Sequence, residues 1–458
     1  NRLLRCRSEN VYFALYASRP LLRNPLIMQK LDLQLPSSRE QILKIQSERK
    51  KIALERARKA RFYQGKLDRI NEDHLDEPEE WAKIPIIDKE TLREIGPEKF
   101  TDQFFIGEDK HIAEYWRSGG ATGVPLFYPR TYEDMSYSYL QLCRCWSLSG
   151  VKDGDLCHMS FPLGVHPAGQ LWARTANQSG VGVIWAGAGA GTPSQTQIEL
   201  IQTLKPSIWM GMPSYGLHLA NLADNQGIDL ANCNVQKVLV GAEALSSAKR
   251  EKLERSWGAE VNDLFGMTEI GILGADSPLH EGFHVWTDQA VFEVVDENTG
   301  LPAPDGEEGL MVITPLFINN ATPFLRWSSG DIVRMHDQSN LGGPFSVFPI
   351  MQHSHRTVGF FKVRGVNINH SEFEDFMFSF PEVNDFRVEV LNEGTNDVFC
   401  VLVEIRRGGN PGSVTKDLLE RVRAVFEVRP DITLLENGTL AKEFEKSVKA
   451  PRFQDKRL

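Results

Sequence analysis

The sequence predicts an α/β protein. It has a large multi-subdomain N-terminal part with mostly parallel sheets plus a β-rich subdomain, and a small α+β C-terminal domain. Three observations carry this. Between Tyr132 and Phe265, short apolar runs alternate with helically spaced ones, which calls for right-handed crossovers and a mostly parallel sheet. From about residue 283 the runs alternate with period two, with turns at Asn298–Gly300 and Asp305-Gly306, as antiparallel strands do. From Thr357 onward the pattern reads β-α-β-β-α-β.

Residues 1–46 mix apolar and charged residues with little motif content. Residues 47–70 predict a basic amphipathic helix through Ile52, Leu54, Ala57, Ala60, Phe62 and Leu67, with Arg49-Lys50-Lys51 on a solvated face. Trp81–Ile86 is a short apolar segment stopped by Pro85, and Asp88 caps a short helix, Lys89–Ile95. Helices follow at Tyr132–Leu148, Gly169–Asn177, Thr196–Leu204, Tyr215–Ala223 and Ser246–Trp257. Between them lie strands at Leu156–Phe161, Val181–Trp185, Ile208–Met210, Val238–Val240 and Val261–Phe265. The β-rich strands are Val291–Val295, Gly309–Thr314 and Ile332–Met335. The last module reads Phe361–Arg364, Ser371–Ser379, Val383–Leu391, Val398–Ile405, Thr415–Phe426 and Ile432–Leu435.

A chain of 458 residues can build two or three domains and a large core. Hydrophobic and charged fractions of 41% and 24% are those of a globular protein. The net charge of −10, from 51 basic and 61 acidic residues, argues against a nucleic-acid binder. The six cysteines are scattered and form no C-x-x-C pair, which fits a reducing compartment and a cytoplasmic location. No run reaches the ~18 apolar residues of a membrane helix. The first residues are a poor signal peptide.

Ligands of an open parallel sheet lie at the carboxyl ends of its strands. Glycine-rich or polar clusters follow the predicted strands at Gly187–Thr192, Gly211–Ser214, Gly241–Glu243 and Gly266–Glu269. Upstream, Ser118-Gly119-Gly120-Ala121-Thr122-Gly123-Val124-Pro125 follows a strand-like run, Glu114–Arg117. Its glycines let backbone N–H groups converge on an anion, and its hydroxyls add donors. It is not a Walker A loop, because no Gly-Lys-Ser/Thr follows.

In this order, these motifs resemble the adenylate-forming superfamily of acyl-CoA ligases, nearest its phenylacetate–CoA ligase-like branch. The resemblance runs from about residue 47 to the C-terminus. The loop at 118–125 is similar to the family's phosphate loop. Leu264-Phe265-Gly266-Met267-Thr268-Glu269 is the most specific match, preceded by the Gly241-Ala242-Glu243 turn. Further matches are Arg326-Trp327-Ser328-Ser329-Gly330-Asp331, His355-Arg356 with Lys362–Gly365, and Gly438-Thr439-Leu440 followed by Lys446.

The resemblance implies an adenylation domain over 1–356 and a mobile C-terminal domain over 357–458 that carries the catalytic Lys446. It implies ATP, Mg²⁺ and coenzyme A, with a small carboxylic acid as substrate, and no nucleic-acid or membrane partner; a homodimer is left open. Ser118, Gly119, Gly120, Thr122 and Gly123 would hold the leaving phosphates. Thr268 and Glu269 would place the metal. Gly241, Ala242, Glu243, Phe265, Gly266 and Met267 would flank the nucleotide. Asp331 would accept the ribose hydroxyls and Arg356 would contact ribose or phosphate. The acid pocket is expected from Phe161, Leu163, His166, Trp185, Ala186, Gly187, Met212, Pro213 and Ser214, with His166 either lining the wall or meeting a polar substituent. Such mostly apolar walls suit an aromatic or arylacetic acid. Transfer to a carrier-protein thiol and a non-catalytic nucleotide-binding role remain alternatives. Two positions depart from the family pattern: Val124, where many relatives carry lysine, and Val358, at the expected hinge. No cysteine lies in Ser277–Gly282, so no zinc is expected there.

Overall fold

The computed structural model describes residues 33–118, 125–189, 191–337, 339–356, 360–393, 396–440, 442 and 452–457. Among these, strands β1 (Ile112–Arg117) and β2 (Phe127–Thr131) form an antiparallel hairpin that flanks the glycine loop. Strands β3 (Leu156–Met159), β4 (Gly182–Trp185), β5 (Ile208–Gly211), β6 (Lys237–Gly241) and β7 (Glu260–Met267) are parallel, in spatial order β4-β3-β5-β6-β7. The alternating pattern predicted this half of the sheet. Val238, Leu239 and Val240 of β6 are fully buried because helices cover both faces.

The expected β-rich part continues the same sheet. Strands β8 (Gly271–Asp276), β9 (Phe283–Val285), β10 (Ala290–Val295), β11 (Gly309–Pro315), β12 (Asp331–His336) and β13 (Ile350–Arg356) extend it from β7 in the order β8-β9-β13-β12-β11-β10, all antiparallel. Among the described residues this makes one sheet of 11 strands. Helix Tyr132–Leu148 packs across it, started by a capping box in which Thr131 and Asp134 satisfy each other's backbone N–H groups. Its fully buried Arg144 donates to both oxygens of Asp288 at 2.7 and 2.8 Å and to the carbonyls of Leu33 and Gln34.

Near the start of the described chain the structure corrects the sequence reading. The helix runs Arg39–Ala57, capped by Ser38, rather than over 47–70. It stops where the chain turns to bury Tyr63 and Leu67; the Tyr63 hydroxyl accepts from Leu325 N at 2.8 Å. Packing overrides helix propensity here. Nor is Arg49-Lys50-Lys51 a solvated face. Lys50 is buried, donates to the Leu75 carbonyl at 3.1 Å and lies over the Trp81 ring, while Arg49 donates to the Leu316 carbonyl and covers Phe317. Lys51 is exposed, beside Asp73. The Asp88 cap is present, and the helix after it kinks at Gly96 (φ 72°) and continues to Phe104. No described helix is long and apolar enough to cross a membrane.

In the C-terminal module, β14 (Phe360–Val363) and β15 (Val366–Asn369) form a hairpin. Strands β16 (Val383–Glu393), β17 (Asn396–Ile405), β18 (Asp431–Leu435) and β19 (Phe453–Asp455) form a second sheet in the order β18-β17-β16-β19. Strands β15 and β19 add to the predicted pattern. Helices His370–Phe378 and Pro411–Phe426 cover this sheet, and Phe373 contacts Phe386, Phe399, Phe426 and Phe453 at ring separations of 5.0–6.4 Å. The module docks on helix Ser247–Trp257. There Lys249 pairs with Glu374 at 3.0 Å, and the buried Lys252 ammonium donates to the carbonyls of Val383 (2.8 Å) and Asn384 (2.5 Å). Burial pushes Lys252 down to about 7. Arg452 closes the cluster against Asp385 at 3.0 Å and Glu374 at 3.4 Å.

Within β7, burial pushes the Asp263 carboxyl up to about 8, with Arg250 pulling the other way. The folded chain therefore keeps a proton that an unfolded aspartate releases near 3.8. Stability should fall as pH rises through that window. Asp263→Asn should flatten the slope, so its melting temperature relative to wild type should rise between about pH 5 and about pH 9. Parallel Tm–pH curves for the two proteins would show that Asp263 is ionised in the fold.

Candidate active site

The loops after β3, β4, β5, β6 and β7 all leave the same edge of the parallel half-sheet, and the β1–β2 hairpin lies beside them. Ser118 closes the base of the glycine loop. Its N–H donates to the Leu126 carbonyl at 3.1 Å and its hydroxyl accepts from Leu126 N at 3.2 Å. Gly119, Gly120, Thr122 and Gly123 lie outside the described residues, as does Lys446. Of Arg356 the backbone alone is described, paired with Asp331 across β12 and β13.

From the loop base the side chains lead to the acidic motif. Tyr128, on β2, hydrogen-bonds Ser118 and points its hydroxyl at Glu269 Oε1, 3.4 Å away. Burial raises the Tyr128 hydroxyl, and the Glu269 charge raises it further. Thr268 and Glu269 occupy the turn between β7 and β8, where their carbonyls have left the ladder. Arg130, fully buried on β2, donates from Nη2 to both carbonyls, at 2.8 and 2.7 Å. Burial holds the Glu269 carboxyl above its ordinary range, against the opposing charges of Lys89 and Arg130. Lys89 itself donates to the Ser329 carbonyl at 2.7 Å.

The remaining residues expected on the nucleotide side form two locks. After β6, Glu243 accepts from Ser214 N at 3.1 Å and from the Ser214 hydroxyl at 2.7 Å, joining the β5 and β6 loops. Ala242 holds φ 67°, a conformation costly for a residue with a Cβ and common at functional turns. Asp331 is buried; the Ser329 hydroxyl donates to one oxygen and His353 Nε2 lies 2.9 Å from the other. Arg326 of the same motif is structural. It reaches Glu293 and the carbonyls of Ala82, Ile84 and Gly300. Phe265 packs on the Phe283 ring, and Met267 accepts the Trp327 indole N–H on its sulfur at 3.2 Å.

The expected pocket residues divide. Phe161, Ala186, Met212, Pro213 and Ser214 are buried at the strand ends, and Gly187 donates to the Met159 carbonyl at 2.8 Å. Leu163 and Trp185 are exposed, Trp185 because β4 is the edge strand. His166 braces the hairpin: its Nδ1 is 3.2 Å from the Arg117 carbonyl and its Nε2 3.3 Å from Arg117 Nη1.

Sequence reasoning missed Arg130, Tyr128, Lys89 and His353. It also missed a buried polar chain behind the strand ends. Gln197 Oε1 accepts from the Ser160 hydroxyl at 2.7 Å and lies 3.1 Å from His158 Nε2; Gln197 Nε2 donates to the Gly187 carbonyl at 2.8 Å and lies 2.9 Å from the Tyr215 hydroxyl. Burial pushes His158 down to about 4, so it is neutral near pH 7. The available signal was polar residues inside otherwise apolar runs.

The family model described as AMP-binding enzyme matches residues 58–315, and that described as AMP-binding enzyme C-terminal domain matches 365–457. The chain belongs to the AMP-binding enzyme family. Similar proteins include a phenylacetate–coenzyme A ligase of Thermus thermophilus, 27% identical over 80% of this chain and 82% of that one. Another, from Escherichia coli, is 25% identical over 90% of this chain and 95% of that one. The fold is that of 2-hydroxyisobutyryl-CoA ligase solved in the postadenylation state with 2-HIB-AMP: TM-score 0.80 at 20% identity, covering 95% of this chain and 94% of that one.

Because burial raises Glu269, its charge is a cost to the fold at neutral pH. Glu269→Gln should raise the melting temperature at about pH 7 and should gain less near pH 4, where the carboxyl is mostly protonated in both states. A lower melting temperature at neutral pH would mean that its neighbours already compensate the charge.

Proposed function

We propose that the protein is an AMP-forming carboxylate–CoA ligase. It joins a carboxylic acid to the α-phosphate of ATP, releases pyrophosphate, and passes the acyl group to the thiol of coenzyme A. The observation that carries this is the meeting of the glycine-loop base, Tyr128 and the under-compensated Glu269 at one sheet edge in a chain of this family. Its phenylacetate–CoA ligase relatives match over most of their length, which supports the same chemistry.

A carboxylate is a poor electrophile, and ATP repels it. Preorganised donors and cations must offset the charge that builds at the phosphate. Ser118 and the loop through Gly119, Gly120, Thr122 and Gly123 would bind the leaving phosphates. Glu269, a partly buried carboxylate whose Tyr128 contact is long at 3.4 Å, together with the Thr268 hydroxyl offers the hard oxygen donors that Mg²⁺ takes. Bound there, Mg²⁺ would neutralise phosphate charge. The Glu243–Ser214 lock would hold the adenine-side turn. Asp331, kept in place by His353 and Ser329, would orient the ribose, with Arg356 beside it. Lys446 would bring its ammonium to the acid carboxylate and the α-phosphate. In this reading the module over 357–458 then swings relative to 1–356 for the thiol step, and the enzyme works in the cytoplasm.

The buried apolar wall of Phe161, Ala186 and Met212 favours aryl or arylacetic acids over acetate. Pyrophosphate release across an acid panel tests this, and a higher kcat/KM for acetate would overturn the pocket assignment. Adding coenzyme A or a carrier protein identifies the acceptor. Glu269→Gln should cut adenylation by at least ~10-fold.

Lys446→Ala separates the half-reactions. Pyrophosphate release should fall by ~10²–10³-fold, while thioester formation from synthetic acyl-adenylate and coenzyme A stays near wild type. Equal losses in both would remove Lys446 from a step-specific role.

A further inference from the structure

Arg130 is a guanidinium sealed from water beside the proposed metal site. It sits on β2, directly after the glycine loop, over the Trp116 ring at 4.6 Å. One nitrogen, Nη2, serves the carbonyls of Thr268 and Glu269; Nε and Nη1 are buried without a hydrogen-bond partner. A purely structural arginine of this burial would ordinarily spread its donors over several acceptors, as Arg144 and Arg326 do. The charge is instead concentrated on one turn. That turn needs it, because its carbonyls have no ladder partner.

We infer that Arg130 is the positioning residue of the acidic motif, pinning the 268–269 backbone from the glycine-loop hairpin so that the Thr268 hydroxyl and Glu269 carboxylate present fixed oxygens to a divalent cation. This rests on the proposed role of those two residues. Physically, Nη2 reaches two adjacent carbonyls with N–H bonds whose directions the rigid guanidinium plane fixes, whereas a lysine ammonium on a flexible stem fixes no such directions. The loop and the acidic turn belong to separate parts of the chain, and Arg130 couples them: its strand carries the loop at one end and its side chain holds the turn. Neighbouring charges are Glu269 and Asp134, with the Tyr128 hydroxyl also close.

The test uses the full-length protein with Arg130→Lys and Arg130→Met, Glu269→Gln for comparison, and three readouts. These are the melting temperature, hydrogen exchange of the amides in 267–272, and Mg²⁺ titration, followed both by pyrophosphate release and by calorimetric binding of Mg²⁺ with ATP. Losing an outer residue that orients metal ligands costs ~10–100-fold in metal affinity. Arg130→Lys should therefore raise the Mg²⁺ concentration for half-saturation by ~10-fold or more, while kcat at saturating Mg²⁺ changes less. Exchange in the 267–272 segment should rise while the rest of the chain stays protected. If Arg130→Met fails to fold, Arg130→Lys decides. Wild-type exchange and wild-type Mg²⁺ half-saturation in a folded Arg130→Lys would overturn the inference. So would a lowered melting temperature and kcat with unchanged Mg²⁺ dependence, since that is the signature of packing alone. If the wild type releases no pyrophosphate with any acid, the ligase reading fails by itself, and exchange and calorimetry still decide Arg130.

Discussion

Strand β7 must pair in two senses at once. On one side it runs parallel to β6, with Leu264 beside Gly241; on the other it runs antiparallel to β8, with Leu264 beside Ala275. This seam is where the sheet changes character, and it places the acidic turn both at the carboxyl edge of the parallel strands and at the tip of a hairpin. The crowding explains two glycines. A Cβ on Gly241 would lie 2.8 Å from the Leu264 carbonyl oxygen, and one on Gly266 would lie 2.8 Å from that of Gly271. The glycines in Gly-Ala-Glu and Phe-Gly-Met-Thr-Glu thus answer to the sheet before they answer to a ligand.

Buried charge is handled in two ways. Arg144 with Asp288 is a compensated pair in which most donors meet acceptors; Arg326 likewise fastens distant segments, though burial still raises the carboxyl of its partner Glu293. Asp263 and Glu269, both on or beside β7, are under-compensated, and burial dominates their titration. Groups perturbed in this way cluster at functional sites but also occur in structural networks, so the surroundings of each decide. Asp263 lies inside the strand, whereas Glu269 faces the loop edge through Tyr128, which is why only the second belongs to the proposed chemistry.

Much of the fold was legible in the sequence because its signals are local. Alternation of apolar runs, the Asp88 cap and the glycine clusters each specify structure within a few residues. The helix Tyr132–Leu148 matches the expected bounds. What was illegible depends on distant partners. The early helix ends where Tyr63 finds Leu325; Lys50 is buried by Leu75 and Trp81; β19 exists because β16 offers an edge. At the site, glycine loop, acidic motif and Asp331 were readable as motifs. Arg130, Lys89 and His353 were not, because Phe-Tyr-Pro-Arg-Thr reads as an ordinary strand until the fold sets its arginine under the 268–269 turn.

Helix Ser247–Trp257 begins just after the Gly241–Glu243 turn and carries the C-terminal module along its length. Asn221, on the neighbouring helix, donates to the same Asn384 carbonyl that Lys252 holds. Because Lys249 holds Glu374 and Lys252 holds the Val383 and Asn384 carbonyls, rotating the module away would have to break these contacts together and return a buried ammonium to water. Partial displacement would keep the desolvation cost of Lys252 while losing its carbonyls, which disfavours half-open geometries. A joint built this way would act as a detent on the docked arrangement, since small tilts lose its contacts without gaining others.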